Sequence, residues 1–515
     1  MIKHASRRPA GPAAVPGPRG ARVKAALPAV PPRVARTITA VVLAVVAAFF
    51  VWQTLALNAL WLALRAGAWL YVTLGVLAVA GLVVAYRTFN RSGPKVLART
   101  GVIVACVCVP AAVILGVGQG YGVDRARLVA SVSVAPDGQL AEYASRAPFT
   151  VAENQTASHV DFNGNLGETT YVPTEARFGT LIADRGLVSG YHQVVWQSLS
   201  GSGQSTSDNC SWATDTLRFD GMFGSNLQRA IIRQAGPELI TTSDAYGLCV
   251  DGAPKIIVPL KTYAGFIRPY QVPDGVAIID ANWKITIDRD VTPGEYPGPV
   301  YPMSLAVQQR AATTALGTWW DHVQNRVGYQ PTGDNAETNT TEFNLERADG
   351  SGSDFVTPLT LVGQAQSINA VGVVPSGENH AGTLNPYRVI ILSPPRQANS
   401  AVTDRLHADY GNLQEWAAGM RVYEIVPTGP GTWQATMGMP KAVIYVAKIN
   451  ADGTSCLFSA KDGTKIGCST DAGTTPGTSV DTTDLAGLTD AELAQLLQRV
   501  ACEMGRRQGV PGAGC

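Results

Sequence analysis

The side chains best suited to chemistry in this sequence are few and scattered. Six histidines occur, at positions 4, 159, 192, 322, 380 and 407. General acid–base catalysis needs one of them within hydrogen-bond reach of a nucleophile or a second acid. The segment Gly377-Glu378-Asn379-His380-Ala381-Gly382 is the most site-like loop, setting two titratable groups beside flexible glycines. Glu378 and His380 are therefore the catalytic candidates, against the plainer reading of a polar turn. A second segment, Asp161-Phe162-Asn163-Gly164-Asn165-Leu166-Gly167-Glu168, alternates oxygen-bearing side chains in the manner of a calcium loop. Asp161, Asn163 and Asn165 are the metal candidates, although the glycine and the closing glutamate of an EF-hand are missing. No nucleophile elbow, zincin helix or phosphate-binding P-loop motif occurs, and no cofactor is expected.

Eight cysteines divide by context. Cys106 and Cys108 lie in an apolar run, where they read as small apolar residues. The other six lie further along, and one pairing follows from counting. A three-residue hairpin loop at Lys461-Asp462-Gly463, its glycine left-handed, pairs Ala460 with Thr464 and brings Cys456 opposite Cys468. Directly opposed residues stand close to the separation that a disulfide bridges. Nearness in sequence then pairs Cys210 with Cys249, and Cys502 with Cys515. No spacing typical of a zinc site occurs among these residues.

The elements that must position these groups are separated by charge before anything else. Residues 1–119 hold thirteen Lys or Arg and no Asp or Glu. Of 40 basic residues that leaves 27 to face all 39 acidic ones, so the first part carries +13 and the rest −12. A basic block beside apolar runs points to membrane orientation, and nucleic acid is not an expected partner.

Three uncharged apolar runs, about 38–57, 67–86 and 101–119, each approach the roughly 20 residues that cross a bilayer core. Their flanks set the expected orientation, because cytoplasmic loops collect Lys and Arg. The tail before the first run and the loop holding Arg87, Arg91, Lys95 and Arg99 belong inside, so everything after about residue 120 belongs outside. The expected location is the plasma membrane, multi-pass, with the N-terminus cytoplasmic. Ala112, Gly116 and Gly120 form a small-residue strip on the third run, the expected helix-packing face.

Beyond residue 120 short alternating runs between turn residues argue for strands, with fewer helices. The fold class expected is a membrane-anchored chain of three N-terminal transmembrane α-helices followed by a large β-rich α+β extracytoplasmic region. Its parts are a disordered basic tail (1–36), the three-helix segment (37–120), an α+β domain (121–330) and a polar linker (331–354). A second β-rich part (355–468), a linker (469–488) and a C-terminal helix and tail (489–515) complete it. Residues 304–327 read as one internal helix.

These features favour an interaction or assembly protein of the cell envelope, with the lipid bilayer and envelope proteins or further copies as partners. The alternatives are an exported enzyme acting on an envelope polymer and a subunit of an export or conjugation channel.

Overall fold

The computed structural model describes residues 32–53, 55–90, 94–136, 138–159, 164–186, 188–199, 205–241, 244–266, 268–332, 343–363 and 367–469. Most of the basic tail, most of the 469–488 linker, the C-terminal helix and the Cys502–Cys515 pair lie outside them. The chain divides into two units, residues 1–56 and 57–515. The first holds α1 (Pro32–Gln53), apolar from Thr37 to Phe49.

The second unit begins with α2 (Ala56–Ala63), which straddles the division, and continues into α3 (Trp69–Asn90) and α4 (Lys95–Val123). Gly67, at φ +94°, makes the bend between α2 and α3, where a side chain would be strained. Two helical stretches, Asn58–Asn90 and Lys95–Gly116, are long and apolar enough to cross a membrane. The first expected span, 38–57, falls on α1, whose apolar stretch is shorter.

Helices α3 and α4 touch backbone to backbone at Gly81 and Gly101. A Cβ on Gly101 would lie 2.3 Å from the Gly81 carbonyl oxygen, and one on Gly81 would lie 2.6 Å from that of Gly101. Ala78 and Ala85 on α3 and Ala105 and Cys108 on α4 are buried beside them. Small residues thus admit the close approach, the device by which helix pairs in lipid pack tightly. The strip expected at Ala112, Gly116 and Gly120 lies about three to five turns further along α4. Gly116 faces Tyr71 at van der Waals distance, and nothing approaches Gly120 within 4 Å. The tight crossing is therefore set by the earlier glycine.

No loop separates α4 from the β-rich region. After Val123 the chain makes a wide turn at Asp124–Leu128 and a tighter one at Val129–Ser131, then enters strand Val132–Ala135. That strand lies parallel to Tyr387–Arg396 at one edge of a six-stranded sheet. Arg125 Nη1 donates to the carbonyls of Ala315 and Leu316 at 2.8 Å and of Gly317 at 3.0 Å. A cation there meets the carbonyl end of the helical turn Ala312–Leu316, the favoured site for positive charge. The Tyr121 hydroxyl donates to Gly317 O, Arg65 to Tyr263 O and Asn58 to Pro237 O.

The six-stranded sheet is covered on both faces, which is why its strand Ser353–Leu361 carries apolar residues in both registers. Val356, Val371, Val373 and Ile390 pack against Ile425, Ala435, Met437 and Ala447 of a five-stranded antiparallel meander, residues 421–468. Phe355, Leu359, Ala370 and Val374 face Tyr301, Leu305 and Ala306 around helix Met303–Ala311. Leu181 and Val194 of a four-stranded meander (164–211) share a second core with Ile256, Val258 and Ala277 of another five-stranded sheet. The disulfide Cys210–Cys249 joins these two sheets.

Several expected elements are changed in detail. The segment read as a linker, 331–354, supplies strand Phe343–Glu346, whose Phe343 and Leu345 are buried against Ser353–Leu361 partners. The single helix expected over 304–327 is three pieces, because Thr318 caps a new turn, Trp319–Val323. Its hydroxyl accepts from the Asp321 amide while Asp321 Oδ2 accepts from the Thr318 amide, a capping box. In the terminal hairpin Cys456 does pair with Cys468, and the two are disulfide-bonded. The inner register differs: Phe458 pairs with Lys465, and a bulge before Gly467 restores the count.

Three sheets meet at Arg146. Its guanidinium bonds Glu424 of the C-terminal meander, at 3.0 Å to Oε2, and both side chains are almost fully buried. The same cation lies over Phe149 at 4.5 Å, over Tyr171 of the four-stranded sheet at 5.6 Å and over Phe343 of the six-stranded sheet at 5.8 Å. Asn344 adds a bond to the Tyr171 carbonyl. Helix Phe149–His159 starts at the carboxylate, and its first amide donates to Glu424.

Replacing Arg146 with Met strands a buried carboxylate, at an expected loss of about 3–5 kcal/mol. Burial already pushes the Glu424 carboxyl up, and Arg146 opposes that push. Without Arg146 the folded state holds the Glu424 proton more tightly than the unfolded chain does, so the deficit of R146M shrinks as pH falls from neutral toward the carboxylate range. Thermal melting of the detergent-solubilised full chain at two pH values checks the sign. R146M/E424L should recover much of the loss.

Candidate functional site

The structure brings His380 to a partner that its sequence neighbourhood does not contain. Asn379–His380 and Asp290–Val291 form a two-stranded antiparallel ladder, with His380 directly opposite Asp290. Opposed side chains on such a ladder are close enough to interact, and His380 Nδ1 lies 2.5 Å from Asp290 Oδ1. On the other side of the ring, Nε2 stands 4.0 Å from Glu378 Oε2, beyond hydrogen-bond length. The order is carboxylate, imidazole, carboxylate. Asp290 is 81% exposed and His380 38%, so the row sits at the surface.

What holds this row in place is Asn379, fully buried between the two candidates. Its amide donates to the carbonyls of Gly275 at 2.9 Å and Val300 at 2.8 Å, and its oxygen accepts from the Gly275 amide at 3.0 Å. Gly275 adopts φ +81°, and a Cβ there would fall 1.9 Å from the Asp288 carbonyl oxygen. The loop is pinned further by Asn385, which donates to the carbonyls of Pro375 and Glu378. Nearby, Arg289 makes two bonds to Asp274, at 2.6 and 2.7 Å. Burial pushes the Asp274 carboxyl up, and Arg289 counters it.

An aspartate bonded to one imidazole nitrogen is the orienting half of a general-base pair. The other half is a nucleophile against the second nitrogen; among the described residues the charged group nearest Nε2 is the Glu378 carboxylate, at 4.0 Å. Among the described residues no group of three or more His, Cys, Asp or Glu side chains is placed to hold a metal ion. Asn165 is exposed in strand Gly164–Val172, opposite Ala183, while Asp161 and Asn163 lie outside the described residues.

Elsewhere a cavity of about 220 Å³ opens between the C-terminal meander and helix Asn399–Asp409, lined by Val402, Ile425, Trp433 and Ile449 with Arg396. Its volume is below the usual range for a ligand pocket. Arg396 there donates to the carbonyls of Asn450 and Gly431.

Asp290 and Asn379 carry the local geometry, and sequence reasoning missed both. Asn379 stood between the two candidates, so its place in the same short motif was visible. Asp290 is 90 residues away, and no local spacing points to it. Comparison with family models, curated proteins and solved structures returns no match.

Two substitutions separate scaffold from surface. Asn379→Ala leaves the Gly275 amide and two carbonyls unpaired in the interior, each such group costing about 1–3 kcal/mol. His380→Ala removes an exposed contact of the kind that contributes about 0–1 kcal/mol. Melting of both variants beside the parent chain should show a large drop for the first and a small one for the second.

Proposed function

We propose that this chain is a multi-pass protein of a cell envelope whose β-rich region, outside the cytoplasm, assembles with partner proteins or with further copies of itself. On this reading α1 supplies a third crossing and the basic N-terminus stays in the cytoplasm. The loop of Arg87, Arg91, Lys95 and Arg99 lies on the same side, in keeping with the bias of cytoplasmic loops toward Lys and Arg. The bonds Cys210–Cys249 and Cys456–Cys468 fit an oxidising compartment.

One observation carries the assembly reading: α4 runs into the edge of the six-stranded sheet without a linker, and Arg125 and Tyr121 lock the join. An exported enzyme that searches for polymer gains from a tether. A component with a set place gains from a fixed stand. Such a stand holds the outer faces of the sheets at a constant height and angle for a neighbour to meet. An export or conjugation channel is the narrower form of this reading.

The contact of Asp290 with His380 favours one alternative, an exported enzyme acting on an envelope polymer. Glu378→Gln with His380→Asn would abolish turnover in that case and leave assembly intact.

Crosslinking in intact cells, followed by isolation of the full chain from membranes, tests the assembly reading. Adducts heavier than the monomer, with the same partner in repeated preparations, are the expected result. A chain recovered only as monomer would sink it.

A further inference from the structure

Two aromatic tips stand beside the points where α3 and α4 meet the β-rich region. The first is Phe266, at the end of the hairpin joining strands Ala253–Ala264 and Tyr270–Ile279. It stacks on Trp69, the first residue of α3, with ring centroids 5.0 Å apart, and is still 65% exposed. The second is the helical turn Trp319–Val323. There Trp320 is 64% exposed, Val323 48% and Trp319 38%. His322 of that turn packs against Tyr121, near the end of α4, with centroids 5.2 Å apart.

Large exposed apolar residues in a soluble domain call for a covering. These residues have an unusual address. Both tips touch aromatic residues at the same end of the helix pair, the end at which the chain leaves the apolar segment. Tyr and Trp favour the headgroup level of a bilayer, where one side of the ring is apolar and the other is wet. Trp69 and Tyr121 mark that level on α3 and α4, and Phe266 and the Trp319–Trp320 pair extend it sideways on both flanks of the anchor.

We infer that the hairpin tip at Phe266 and the turn Trp319–Val323 seat in the outer headgroup layer of the membrane that holds α3 and α4. The occupant of this apolar face is then lipid, reached without leaving the chain's own anchor. The local charge agrees. Arg268, two residues after Phe266, lays its guanidinium against the end of α4, 3.3 Å from where a Cβ on Gly122 would stand, and exposed Arg326 follows the second tip. Each is suited to lipid phosphate. The capping box at Thr318 and Asp321 fixes the turn, so the two indoles are presented in one orientation, with ring centroids 4.7 Å apart. The face closes the gap between a rigid stem and the bilayer at two points, which restrains the β-rich region from tilting.

This inference rests on the membrane reading above, and one preparation separates the two. The full chain is labelled with fluorotryptophan and placed in nanodiscs of phosphatidylcholine and phosphatidylglycerol. Fluorine resonances are assigned with Trp319→Phe and Trp320→Phe, changes that keep an aromatic ring at each site. A lipid carrying a nitroxide near its headgroup end should broaden both resonances, and a soluble gadolinium chelate should leave them largely intact. Broadening by the chelate alone overturns the inference, as does protection from both agents, which would mean a protein covering. Resistance of the chain to alkaline carbonate extraction tests embedding independently. A chain that resists extraction yet shows chelate-exposed indoles loses this inference and keeps its anchor.

Discussion

The arrangement of the β-rich region depends on a cation buried where three sheets converge. A guanidinium removed from water is costly unless its charge is met. Arg146 meets Glu424 on one side and three ring faces on the others. Apolar side chains of the same volume could fill that space, but they would pack in several ways. A planar cation over Phe149, Tyr171 and Phe343, tied to a carboxylate at a helix start, fits one arrangement. The gain lies in orientation more than in net stability.

From that joint the constraint passes outward through continuous secondary structure. Glu424 fixes the C-terminal meander, Phe343 and Asn344 fix the six-stranded sheet, and Tyr171 fixes the four-stranded one. The six-stranded sheet in turn contains Val132–Ala135, the direct continuation of α4. A second network, built on Asn379, Gly275 and Val300, holds the ladder that carries His380. Seen this way, His380 and Asp290 sit on a joint between sheets. Their polarity suits its exposed rim, and Asn379 beneath them bears the structural demand.

What could be read from the sequence was local. Apolar runs of sufficient length gave two helices able to cross a membrane, and alternation gave the β-rich character of the chain beyond residue 120, as in strand Ala442–Ile449. Counting out from Asp462 and Gly463 placed Cys456 opposite Cys468, and two offsetting slips left that outcome unchanged. The capping box at Thr318 was also legible, and missing it merged three helical pieces into one. The joints were not legible. Arg146 and Glu424 are 278 residues apart and Asp290 and His380 are 90 apart, so only the folded chain brings them together. The strand Phe343–Glu346 was hidden by the polar residues around it, since two apolar side chains in a short run carry no clear period.

The linker-free join has a consequence for how the molecule is made. Val132–Ala135 is the first strand after the apolar helices, yet its partner is Tyr387–Arg396, more than 250 residues later. A chain made in sequence order therefore exposes an unpaired strand edge beside the end of α4 until most of the β-rich region has been made. Contacts so distant along the chain form slowly, because the intervening loop must close before they reward it. During that wait the edge is open to pairing with the wrong segment or the wrong copy. Folding of the β-rich region is thus timed by its late strands, and a chain cut short before Tyr387–Arg396 would keep its apolar helices with the first strand unmatched.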